Sequence, residues 1–133
     1  MAPSDSSTST FESLESSSRA EIDLQLAAIS QVDCDVLPYA ALETDAQGRV
    51  LLINGKARQL LGLQGSAVGR AFFTDICAWA NNPLFLGRFV AGVRRAKMDE
   101  TFSFVLKVGA QLVLTTVRLF LEPSSQRYWI LFS

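Results

Sequence analysis

A chain of 133 residues fits one domain of the common size, about 100–150 residues, and 49% hydrophobic residues with nine Phe supply its core. The absence of histidine excludes His-dependent triads, His metal sites and a His-ligated haem. A net charge of −1 without a long basic run argues against a nucleic-acid groove, and a charged fraction of only 19%, against about 25% in ordinary soluble chains, points to extra buried or sticky surface.

Residues 1–18 are rich in Ser and Thr, with Phe11 and Leu14 as the apolar anchors. Such a segment buries too little to offset its ordering entropy and reads as a flexible tail, with the domain proper at 19–133. Ser18 and Glu21 fit a capping box. Ile22, Leu26 and Ile29 follow at i, i+4 and i+7, one face of a short helix that needs a sheet to cover. Residues 34–38 read as a connector.

Residues 39–45 and 49–54 read as two strands joined by a turn at Asp45 and Gly48, a hairpin. Glu43 and Asp45, at the strand end and in the turn, read as solvated or turn-capping acids. Asn54 is placed to N-cap a helix over 55–61, with Gly62 as its stop.

Residues 69–95, GRAFFTDICAWANNPLFLGRFVAGVRR, form the central stretch. The aromatic pair Phe72 and Phe73 opens it, and an irregular segment with Cys77 and Trp79 follows. Asn81, Asn82 and Pro83 signal the start of an amphipathic helix running to about Lys97, its basic end facing solvent. A bulky irregular wall beside a helix suits a lid over a cavity.

Three strands are predicted after it, over 101–108, 111–121 and 127–132, linked by Gly109 and Ala110 and by a loop at Pro123. Both faces of the middle strand are largely apolar, so it is expected to be covered on both sides. Arg118, the odd charge on that strand, is expected to snorkel under the N-terminal helix or pair with a carboxylate there. The elements assemble into an α+β fold. One five-stranded antiparallel sheet carries short helices and a long connecting helix on one face, and an N-terminal cap helix on the other. Cys34 and Cys77 form no CxxC pair and read as reduced thiols. With no secretory signal and no apolar stretch of membrane-spanning length, the expectation is a cytoplasmic protein without a membrane partner.

That order is the PAS layout. The central stretch closely resembles the photoactive yellow protein family pattern G-[KR]-x-F-F-x-D-[VI] followed by P-x-F-x-G-[KR]-F. The matching residues are Gly69, Arg70, Phe72, Phe73, Asp75, Ile76, Pro83, Phe85, Gly87, Arg88 and Phe89, and the resemblance spans roughly residues 20–133. It implies a p-coumaric acid chromophore held as a thioester on a lid cysteine, its phenolate hydrogen-bonded by a Tyr and a Glu with a supporting Thr. Carried over position by position, the cysteine falls on Trp79, the Tyr on Ile53, the Glu on Ala57 and the Thr on Leu61. All four are apolar here, and a buried phenolate without donors would protonate. Asp75, the acid of the motif, resembles a structural turn residue.

The expectation is therefore a chromophore-less member of the family with no cofactor, p-coumaric acid included. The first functional reading is a stand-alone PAS-type sensory module. It would bind a small apolar ligand non-covalently in a pocket lined by Ile53, Ala57, Leu61, Phe72, Ile76, Cys77 and Trp79. The second is a protein-interaction or homodimerisation module whose core Trp79 fills. The third is an enzyme that folds a hydrophobic intermediate for cyclisation or isomerisation, with Tyr39, Glu43, Asp75 and Cys77 as its acid–base candidates. A small hydrophobic molecule, a partner protein or a second copy are the partners these readings imply.

Overall fold

The computed structural model describes residues 16–133, with side chains from Ala20 onward. The flexible-tail reading of residues 1–15 lies outside the described residues. The first helix, α1, spans Ser16–Ala27, so the expected boundary and cap at Ser18 fall inside it. A second helix, α2, spans Gln31–Asp35 and takes in the start of the expected 34–38 connector. Ser30 caps it, its hydroxyl oxygen accepting from the Asp33 amide at 3.2 Å and donating to the Asp33 carboxylate at 3.0 Å.

Strands β1 (Ala40–Thr44) and β2 (Val50–Ile53) form the expected hairpin. Its turn closes because the Asp45 carboxylate accepts from the amides of Gln47 and Arg49, both at 2.9 Å. Gly48 takes φ +85°, a conformation side chains resist, with Phe73 packed where a Cβ would point. Leu51 loops out where the register shifts. Helix α3 (Gly55–Leu60) follows, and the central stretch leads to α4 (Leu86–Arg95). The meander β3 (Asp99–Val108), β4 (Gln111–Glu122) and β5 (Arg127–Phe132) completes the chain. The sheet order is β2-β1-β5-β4-β3 and every pairing is antiparallel, the five-stranded α+β architecture expected.

The sheet divides two cores. On one face Phe72, Phe85, Phe89, Leu106, Leu119 and Phe132 are among the buried residues that pack under the central stretch and α4. On the other face α1 and α2 bury Leu26, Ile29 and Leu37 against Phe120, Trp129 and Leu131. This second layer is also latched by polar groups. Arg118 reaches Asp23 of α1 at 2.7 Å and Asp99 at 2.9 Å, the cap carboxylate expected for it. Burial opposes its charge, but the hydrogen bonds it donates to the Asp99 and Asp23 carboxylates outweigh that and hold the guanidinium firmly protonated. Arg127 pairs with Glu43 at 2.8 Å and donates to the carbonyls of Ala27 and Ile29. The Trp129 indole donates to the Leu26 carbonyl at 3.1 Å. Glu43 is thus a buried latch member, a correction to its solvated reading, because Arg127 lies diagonal to it on the neighbouring strand, two residues from its register partner Trp129.

Two further expectations are corrected. Helix α4 begins at Leu86, after Asn81, Asn82 and Pro83: the Asn82 side-chain oxygen caps a preceding turn by accepting from the amides of Leu84 and Phe85. It ends at Arg95, with Ala96 left-handed at φ 53°. Strand β4 is covered on both faces only over its second half. Leu112 and Leu114 are each 73% exposed, because α1 crosses the sheet beyond them.

Asn54 holds the inner end of the hairpin. It is fully buried, and its side-chain oxygen accepts from the amides of Ala41 at 3.0 Å and Ala57 at 2.9 Å. Its amide group donates to the carbonyls of Cys34 at 2.9 Å and Tyr39 at 3.0 Å. Truncation would remove the side-chain acceptor of the Ala41 and Ala57 amides and one donor each from the Cys34 and Tyr39 carbonyls, so Asn54→Ala is expected to lower the unfolding free energy by about 3–5 kcal/mol in urea titration. Glu122 organises the β4–β5 loop: burial works against its charge, yet hydrogen bonds from Ser124 and Ser125 hold its carboxyl below the usual range. The stability this confers is complete above the unfolded carboxyl value of 4.5 and fades as pH falls through the lower folded value. Acid titration of Glu122→Gln should accordingly show a shallower loss of stability below that pH.

Candidate functional site

The central stretch is tied to the hairpin before it reaches the core. Arg49 and Ala71 form a β-bridge, the Val50 amide donates to the Arg70 carbonyl at 2.9 Å, and the Phe72 amide donates to the Gly48 carbonyl at 2.9 Å. Residues Phe72–Ile76 then make one π-helical turn, and Ala78–Ala80 one 3-10 turn. Asp75 caps the first: its carboxylate accepts from the Ala71 amide at 3.2 Å, the structural role its motif position implied. The wide turn sends Phe72 and Phe73 inward together, their rings edge-to-face at 4.9 Å. Asn82 fastens the second turn by donating to the Trp79 carbonyl at 2.8 Å.

All seven residues singled out from the sequence reach the same core layer. Ile53, Ala57, Phe72 and Cys77 are buried in it, and Leu61, Ile76 and Trp79 pack against it half-buried. The space beside them is occupied by rings. Trp79 lies 5.8 Å from Phe104 and 6.3 Å from Phe85 between centroids. Phe85 is 5.3 Å from Phe104, 5.5 Å from Phe102 and 5.9 Å from Phe72, all within aromatic packing range. Phe85, matched in the family motif but outside the expected pocket lining, is the hub. Its signal was present: it is the one aromatic that the Asn82 cap holds at the entrance to α4.

The polar inventory is equally restrictive. Six polar or charged residues are buried among the described ones, and each is already engaged. Glu43, Asn54, Arg118 and Glu122 have the partners given above, Thr44 donates to the Asp45 carbonyl, and Thr115 donates to the Ser133 carbonyl. The acid–base candidates are not brought together. Tyr39 belongs to the layer under α1 and α2, Glu43 is latched to Arg127, Asp75 is exposed on the central stretch, and Cys77 lies in the opposite core. Burial pushes the Tyr39 phenol up to about 12, with Arg118 pulling the other way, and pushes the Cys77 thiol up to about 12. Two open grooves of the described surface lie elsewhere. One, about 380 Å³, runs between α1 and α2 past Leu24, Asp33 and Val36, and the other, about 520 Å³, runs along α4 past Pro83, Leu86 and Val90. Among the described residues no group of His, Cys, Asp and Glu could hold a metal ion, and no helix is long and apolar enough to cross a membrane.

No protein-family model matches the chain. A photoactive yellow protein from Halochromatium salexigens is 29% identical over 113 residues, 83% of this chain and 89% of that protein. A second, from Rhodothalassium salexigens, is 26% identical over 111 residues with the same coverage. Among solved structures, the photoactive yellow protein domain of the sensor histidine kinase Ppr from Rhodospirillum centenum superposes with a TM-score of 0.77 at 28% identity, over 84% of this chain and 98% of that one. The PAS domain of an HTR-like protein from Haloarcula marismortui superposes at 0.55 and 16% identity, over 86% and 97%, a likeness of fold alone. The fold is therefore that of the PAS sensory domains. Within that class, the chain is similar to photoactive yellow proteins at 26–29% identity.

The burial of the thiols has a measurable consequence. With Cys34 and Cys77 both near 12 against an ordinary 9.0, their thiolate fraction at pH 8 is on the order of 10³-fold below that of the unfolded chain. A thiol reagent is expected to leave the native protein unmodified on a timescale that labels both cysteines at once in denaturant, read by intact mass.

Proposed function

We propose that this chain is a PAS-type regulatory module whose photochemical site has been lost and which works through its surfaces. The observation that carries this reading is the ring packing around Trp79. At the position that the family resemblance assigns to the chromophore cysteine stands an indole in contact with Phe85 and Phe104. The positions assigned to the phenolate's partners are Ile53, Ala57 and Leu61, none of which carries a side-chain donor. A phenolate placed there would be an unpaired buried anion, which a low-dielectric interior rejects. Cys77, two residues from Trp79, is protonated and enclosed, and so a poor nucleophile.

One observation favours the alternative reading, a small apolar ligand. Leu61, Ile76 and Trp79 are only partly buried, so they form an apolar rim at the edge of the core, and rotation of the indole would open it inward.

One pair of measurements separates these readings. Reconstitution with activated p-coumaric acid is expected to give no visible absorption band and no added mass; an adduct lost in Cys77→Ala would overturn the loss of photochemistry. A thermal-shift series with small hydrophobic compounds is expected to leave the melting temperature unmoved. A compound binding the native state at 100-fold its Kd would add about 2.7 kcal/mol, several degrees in a domain of this size, and would establish the ligand reading instead.

A further inference from the structure

We propose that β3 is the surface through which two copies of this chain pair, strand against strand and antiparallel, about a two-fold axis at Ser103. The two five-stranded sheets then run on as one. The inference rests on the surface-acting reading above and gives it a partner.

Three observations carry it. First, β3 ends the sheet order, so among the described residues no strand pairs with its far side. It is ten residues long, pairs with β4 without a register shift, and contains neither Pro nor Gly. Edge strands exposed to solvent are usually short, bulged or interrupted by charge; here residues 101–106, TFSFVL, carry none.

Second, the outer face beside this edge is apolar. Val105 is 49% exposed and sits directly opposite Leu114 in the register, with Leu112 next to it opposite Lys107.

Third, the strand is complementary to itself. With Ser103 facing its own copy in antiparallel pairing, Asp99 faces Lys107 of the second strand and Lys107 faces its Asp99, two equivalent ion pairs on the outer face. Thr101 faces Val105, a β-branched pair, and on the inner face Phe102 faces Phe104. Phe102 and Phe104 are only half-buried in the single chain, so each has ring surface to give. Asp99 has the capacity for a second cation, because its side chain remains 52% exposed beside Arg118. Opposite charges and aromatic pairs directly across antiparallel strands are the contacts that stabilise a sheet. An isologous two-fold contact needs just this self-complementarity, and the added strand supplies main-chain hydrogen bonds.

The test uses the full-length protein in sedimentation velocity from about 1 μM to about 300 μM, the range over which a modest interface fills. A concentration-dependent dimer is expected. Ser103→Asp places two like charges together on the axis and should raise the dimer Kd about tenfold or more, while the circular dichroism spectrum of the monomer stays unchanged because Ser103 is exposed. Under oxidation, Ser103→Cys should give a disulfide-linked dimer, since residues facing across antiparallel strands lie within bridging distance. Thr101→Cys alone should give none, and Thr101→Cys combined with Val105→Cys should restore it. The native thiols give no background, both being buried. A monomer at every concentration overturns the proposal. So does a dimer indifferent to Ser103→Asp, but that outcome leaves the surface-acting reading standing. That reading itself is decided by the p-coumaric acid and thermal-shift measurements.

Discussion

Asn54 is the residue on which the two layers of this domain depend. Its four side-chain hydrogen bonds join the α2–β1 connector, the first strand and the start of α3. An amide has two donor hydrogens and an acceptor oxygen with two lone pairs, and here all are used. No apolar residue of the same shape satisfies the four backbone groups it meets. The position of α3, and with it of Ala57 and Leu61, is therefore set by a polar contact made on the far side of the hairpin from the aromatic core.

The two faces of the sheet are closed by different physics. Beneath the central stretch, closure comes from packed rings, with Phe85 at their centre. Beneath α1 and α2, apolar burial is supplemented by Arg118, Arg127 and Trp129, each of which reaches from a strand to a carboxylate or a carbonyl of the cap or sheet. Both guanidinium groups also lie over aromatic rings, Arg118 at 4.1 Å from the Phe120 centroid and Arg127 at 5.0 Å from that of Trp129. A buried charge that loses one partner is costly, so the cap is held in one orientation by direction-dependent contacts, where hydrocarbon alone would let it slide.

Much of this was legible in the sequence because local patterns and tertiary packing agree. The hairpin turn at Asp45 and Gly48, the Asn54 cap, the alternation in β3 and the family motif of the central stretch each specify a feature that the fold then uses. What was missed lay where a signal was short or needed a distant partner. Helix α2 is five residues long, and its Ser30 and Asp33 cap was its only local mark. Glu43 looked solvated because nothing near it in sequence reveals Arg127, 84 residues away. The even apolar alternation of β4 concealed that a cap helix covers only part of a strand. Four of the seven core residues fall on the family motif (Phe72 and Ile76) or within one helical turn of Asn54 (Ile53 and Ala57), and Phe85 is on the motif too, but its central place is set by a turn that periodicity does not register.

The two tryptophans stand on opposite sides of the sheet. Trp129 is sealed in the cap layer with its indole hydrogen bonded to a carbonyl of α1, while Trp79 sits half-buried at the edge of the aromatic layer. Each is thus an intrinsic fluorophore seated in a different layer. Loosening of the cap would expose the indole of Trp129, and displacement of the central stretch would change the surroundings of Trp79. The domain carries its own optical readout of which of its halves responds first.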